Sequence, residues 1–78
     1  MFLHINEAEY LNDYKLNLKF NNNEIKQVDL AKELYGEVFE PLKDIKKFKK
    51  FFISHNTIEW ENGADFAPEF LYSIGQKV

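Results

Sequence analysis

Apolar and polar residues alternate most strictly from Tyr14 to Phe20, where Tyr14, Leu16, Leu18 and Phe20 are separated by Lys15, Asn17 and Lys19. A period of two with polar off-beats predicts an antiparallel strand with one buried and one wet face. Upstream, Leu3, Ile5, Ala8 and Tyr10 alternate loosely, and the phase slips between Ile5 and Ala8. Such a slip predicts a bulge or an edge strand. Leu11-Asn12-Asp13 carries turn chemistry, and so does Asn21-Asn22-Asn23, because Asn tolerates the left-handed conformation of a tight hairpin. Glu24 to Leu30, with Ile25, Val28 and Leu30 apolar, is then the returning strand. Residues 3–30 read as a three-stranded meander.

The pattern changes after Leu30. Asp29 to Gly36 is long enough for one helical turn, with Asp29 as its N-cap and Gly36 as its stop. Glu37 to Glu40 is expected to be extended, since Pro41 disfavours the helical region for the residue before it. From Pro41 to Lys50, Leu42, Ile45 and Phe48 (with Phe52 beyond) recur at helical spacing, and Lys43, Lys46, Lys47 and Lys50 fall opposite them. An amphipathic helix covering the sheet follows. Phe51 to Ser54 and Ile58 to Trp60 read as a hairpin around His55-Asn56-Thr57. Asn62-Gly63 then reverses the chain at a dipeptide suited to positive φ. Pro68 to Ile74 closes as a helix with Phe70, Leu71 and Ile74 inward and Gly75 at its end. The expected fold is α+β: one antiparallel sheet of about five strands, with a central and a C-terminal helix.

Composition narrows the function. Seventy-eight residues make a single domain, 1–78, and eight Phe, four Tyr and one Trp supply its core. The absence of Cys removes disulfides and thiolate metal sites. No apolar run approaches the ~18–20 residues a membrane span needs, and the N-terminus turns acidic too early for a signal peptide. A cytoplasmic protein is therefore expected. Net charge is −3 and every basic residue is Lys, so the planar fork that reads guanine or phosphate bidentately is missing.

Candidate chemistry is sparse. Asp65, near Asn62 and Trp60, reads either as a base or ligand or as an N-cap ahead of Pro68; Asp29 invites the same two readings. Nothing in the spacing gathers Asp29, Asp44 and Asp65 into a metal or acid–base cluster, and His4 and His55 stand far apart. Ser54 and Ser73 lie in no nucleophile motif, and three glycines make no phosphate-cradling loop. No cofactor, metal or small-molecule substrate is expected, and enzyme activity is not. The lysine face Lys43, Lys46, Lys47 and Lys50 admits a solvated-helix reading and an anionic-partner reading.

The runs Tyr14 to Phe20, Val28-Asp29-Leu30, Phe39 to Asp44, Phe48 and Trp60 to Asp65, with Pro68 and Leu71-Tyr72, resemble the short bacterial family catalogued as a domain of unknown function, number 2442. The resemblance covers most of the chain in order. Two departures are Asn22-Asn23 where the family usually has a Gly-containing pair, and Glu61 where a Pro often follows the Trp. The resemblance implies a small α+β fold with Asp29, Phe39, Pro41, Leu42, Trp60, Asn62, Gly63, Asp65 and Pro68 as its signature. It implies no catalytic residues. Such proteins are often encoded singly or beside another short family, and some longer relatives carry a helix-turn-helix domain, which hints at an antitoxin-like or adaptor role.

The expectation is thus a non-enzymatic protein-interaction module that docks a protein partner or a second copy on an edge strand or on an apolar patch of the open sheet face. The alternative is a nucleic-acid-associated regulator using the lysine face, although negative net charge makes nucleic acid the less expected partner. A hydrolase using Asp29 and Asp65 ranks below both.

Overall fold

The computed structural model describes residues 2–78. Strands β1 (Ile5–Asn12), β2 (Lys15–Phe20) and β3 (Ile25–Asp29) form the expected meander. A 3-10 turn (Glu40–Lys43), helix α1 (Ile45–Phe48), strands β4 (Phe52–Ser54) and β5 (Thr57–Glu59), helix α2 (Pro68–Ile74) and strand β6 (Gln76–Lys77) follow. The fold is α+β, with an antiparallel sheet ordered β1-β2-β3-β6 and a separate two-stranded sheet β4-β5.

The meander obeys its alternation. Leu16 pairs with Tyr10 on one side and Val28 on the other, and Leu18 pairs with Ala8. Leu16, Leu18, Phe20 and Val28 are fully buried, while Asn17 and Gln27 turn to the opposite face. β1 shifts register between Ile5 and Glu7 and again between Tyr10 and Asn12, so the bulge falls where the phase slips. Asn23 takes the left-handed conformation at φ 70°, and its N–H closes the hairpin on the Phe20 carbonyl.

Four expectations give way. The second hairpin does not join the first sheet. β1 carries register shifts near both ends, which interrupt regular pairing, and one backbone bond crosses among the described residues, from Ile5 N–H to the Asn56 carbonyl. Residues 41–50 are not one helix. Asp44 stands at ψ 112°, and its Oδ1 accepts the Lys46 N–H at 3.0 Å, ending the 3-10 turn and capping α1 in one move. Four lysines at spacings of three and four repel along the same face and favour that break. Glu37 to Glu40 is a turn rather than extended, because the Gly36 carbonyl accepts from both Phe39 and Glu40 and holds them helical despite Pro41. The Asp29 segment likewise stays a turn, with Asp29 Oδ1 on the Ala31 N–H at 3.0 Å.

The chain end completes the sheet. β6 sets Lys77 opposite Lys26, a like-charge pair that is relieved on both sides. Lys77 lies 3.4 Å from Glu24, and Lys26 donates to the Tyr72 carbonyl while its ammonium sits 3.6 Å over the Tyr72 ring. The Tyr72 hydroxyl donates to Glu24, which also accepts from Asn22. Gly75 lets α2 run into β6. A Cβ there would meet the Lys26 Cβ at 2.9 Å and the Leu71 carbonyl and Val28 Cγ1 at 3.1 Å.

Two outcomes follow. Gly75→Ala lowers stability by about 1–3 kcal/mol in denaturant unfolding, because the close contacts are backbone and strand atoms that cannot swing aside. The Tyr72 hydrogen bond, aided by Lys77, holds Glu24 below the ordinary carboxylate value. That contribution is therefore complete above the ordinary value and lost as pH falls through the lowered one. Acid unfolding of Glu24→Gln should lack this component, and an unchanged acid profile would contradict the clamp.

Candidate functional site

A concavity lies between the 3-10 turn with α1 and the loop after β5. Pro41, Leu42, Lys47, Lys50, Trp60, Glu61 and Asn62 line a half-open groove of about 570 Å³. Each wall has a local cause. On one side, Asp44 ends the 3-10 turn and starts α1, which places Pro41 and Leu42 on one turn and Lys47 on the next. On the other, the Trp60 carbonyl accepts the Gly63 N–H, and its N–H reaches the Ala64 carbonyl. Gly63 at φ +90° takes the left-handed position this tight reversal requires.

The two walls are tied together. Trp60 is 2% exposed, and its Nε1–H donates to the Phe48 carbonyl at 2.8 Å. Asn62 donates to the Val38 carbonyl at 2.9 Å and accepts from Ala64, pinning the loop to the chain that enters the 3-10 turn. Aromatic contacts extend the joint: Phe48 and Phe66 lie 5.7 and 6.0 Å from the Trp60 ring, and Phe39 stacks on Phe66 at 4.6 Å. Phe48 reaches the first sheet through Tyr10 and Tyr14, and the Tyr14 hydroxyl donates to the Lys43 carbonyl.

Of the signature residues, Pro41, Leu42, Trp60 and Asn62 line the groove, and Gly63 and Phe39 support it. Pro68 opens α2. Asp65 is not its cap: Ala67 holds that position with no side-chain bond, and Asp65 is exposed on a backbone bridge to Glu59. Pro68 at the first helical residue removes one of the N–H groups that lack a helical partner and presets φ, so the helix starts without a side-chain cap. Asp29 serves its own turn. The capping aspartate is Asp44.

The lysine face divides. Lys47 and Lys50 line the groove, Lys43 pairs with Glu40 at 3.0 Å, and Lys46 is exposed outside the lining. Lys49, not singled out by spacing, stands 5.4 Å over the Tyr10 ring. Thr57 was equally silent; it is buried, with Oγ1 donating to the Phe66 carbonyl at 2.6 Å.

Two other clusters have less to offer. Ser54 Oγ lies 3.0 Å and Glu59 Oε1 3.4 Å from the same atom, His55 Nδ1. A nucleophile–base–carboxylate relay needs the partners on different ring nitrogens, so this trio cannot pass a proton along. The open face of the first sheet carries Glu7, Glu9, Asn17 and Lys19 around Ile25, so it is polar rather than the expected apolar patch. Among the described residues, no group of three or more His, Asp or Glu could hold a metal ion, and no helix is long and apolar enough to cross a membrane.

Removing the tie should open the groove. Trp60→Phe keeps the ring but strands the Phe48 carbonyl and costs about 1–3 kcal/mol; Trp60→Ala adds a cavity and costs about 3–5 kcal/mol. Denaturant unfolding of both variants checks the order: an unchanged Trp60→Phe would show that the hydrogen bond contributes nothing, and equal losses would show that the ring packing adds nothing.

No curated protein and no solved structure matches the chain. A family model described as Protein of unknown function (DUF2442) does match, over residues 5–77, which takes in both sheets, both helices and every residue of the groove. The chain belongs to that family.

Proposed function

We propose that the chain is a non-enzymatic binding module that docks a protein partner in the groove, as the adaptor or antitoxin-like half of a two-gene pair. The observation that carries this reading is the groove itself. Four residues of the signature line it, and their joining side chains are locked by Trp60 and Asn62 rather than free to rearrange. A preformed surface over a packed Leu42–Trp60 base, with a charged rim, costs little ordering on association. The two-gene arrangement rests on the family resemblance alone.

The lysines support the alternative, a nucleic-acid regulator, less well. Trp60 is buried and offers no face on which a base could stack. With Lys43 paired to Glu40, three lysines of the face remain to contact phosphates, for a log–log salt slope of about −2.7 on duplex DNA.

A photo-crosslinking residue in place of Glu61, introduced in the cells that encode the chain, separates the two. Protein adducts that disappear when Pro41 is replaced by Asp are expected. Nucleic-acid adducts, or duplex binding at physiological salt with the slope above, would replace the module reading with the regulator.

A further inference from the structure

We infer that the groove takes an acidic, extended segment of the partner protein, with one apolar side chain set against Pro41, the exposed apolar residue of the lining, and carboxylates drawn to Lys47 and Lys50. This deepens the binding-module reading and rests on it.

Charge distribution is the first ground. Residues 41–50 hold five Lys against Asp44, net +4, while the remainder holds five Lys against twelve acids, net −7. An acidic segment is therefore repelled by most of this surface and attracted at one place, which steers encounter to the groove. The second ground is availability. Lys43 and Lys77 have carboxylate partners, and so does Lys19, whereas Lys47 and Lys50 make no ion pair among the described residues. Both are exposed at the groove wall.

Shape decides between a small anion and a segment of chain. The groove is half-open, so it cannot surround a small ligand as an enclosed pocket does. An extended segment needs only a floor and two walls. Lysine ammonium groups act as point charges and do not impose the bidentate geometry of a guanidinium, so they reward several carboxylates in rough register rather than one fixed anion. The opposite wall sets the direction. Glu61 rejects a carboxylate there, and the Asn62 amide is already engaged with Val38 and Ala64. The acidic flank must lie along Lys47 and Lys50, and the side toward Glu61 must be neutral or basic.

The test uses fluorescein-labelled peptide pools, each with a central Leu or Phe. One pool has Asp or Glu flanks, one has Lys flanks and one has Ser flanks. Fluorescence anisotropy with the full chain should show binding of the acidic pool alone, weakened on the order of tenfold by Lys47→Glu with Lys50→Glu and weakened again by added salt. Reversal at Lys32, exposed and outside the groove lining, should leave it unchanged. All three positions are exposed lysines, and Trp60 emission verifies that each variant stays folded. Equal binding of the pools, or indifference to Lys47 and Lys50, overturns the inference. If the acidic pool fails while the Glu61 crosslink still yields protein adducts, the acidic occupant is wrong and the module reading stands. If both fail, both readings fall. Duplex binding through the same lysines assigns the groove to nucleic acid, and a dimer lost on charge reversal, seen by sedimentation, assigns it to a second copy of this chain; either result overturns the acidic segment.

Discussion

One buried hydrogen bond ties the short helix to the loop after β5. The indole N–H of Trp60 meets the carbonyl of Phe48, which sits at the last residue of a four-residue helix whose terminal carbonyls lack helical partners. A helix of one turn has almost no stability of its own and takes its position from what it touches. Here it touches an indole on one side and, on the other, Tyr10 of β1 and Tyr14 of the turn that follows it. The same contact satisfies a buried donor, orients the helix and places the loop after β5. In a chain of this size, where little surface can be buried, a single side chain that does three structural tasks replaces a larger core.

The polar parts of the joint follow the same economy. Asp44 ends one helical turn and caps the next, Asn62 bonds its own loop and a neighbouring one, and Tyr14 reaches from its turn to hold the Lys43 carbonyl. Each is a short side chain or a polar tip satisfying a backbone group that the irregular chain leaves open. The groove is the surface consequence of these links, and its rigidity comes from them.

Some of this was legible in the residues and some was not. Alternation from Tyr14 to Phe20 announced the meander, and the slip between Ile5 and Ala8 announced the bulge, because both are one-dimensional periodicities. Asn62-Gly63 announced its turn through local stereochemistry. The helix expected from Pro41 to Lys50 misled, since its apolar spacing was right while the Asp44 side chain competed for the backbone. Asp65 misled for the converse reason: its type suits a cap, but the helix began two residues too late. That Lys47 and Lys50 face Trp60 and Asn62 depends on a tertiary approach across the chain, which no spacing rule encodes. Nor does any local signal send Gln76 and Lys77 to β3.

That last pairing bears on how the chain assembles. β1, β2 and β3 are joined by tight turns, so their ladders close over short loops and can form early. The contact from Ile5 to Asn56 and the docking of β6 on β3 each close about fifty residues of chain, a larger loop-closure cost than the tight turns impose. The meander is then a template on which the remainder condenses. The four-stranded sheet carries the densest ladder, so slow amide exchange should be concentrated in the fully paired β2 and faster exchange in the turns and one-turn helix outside it.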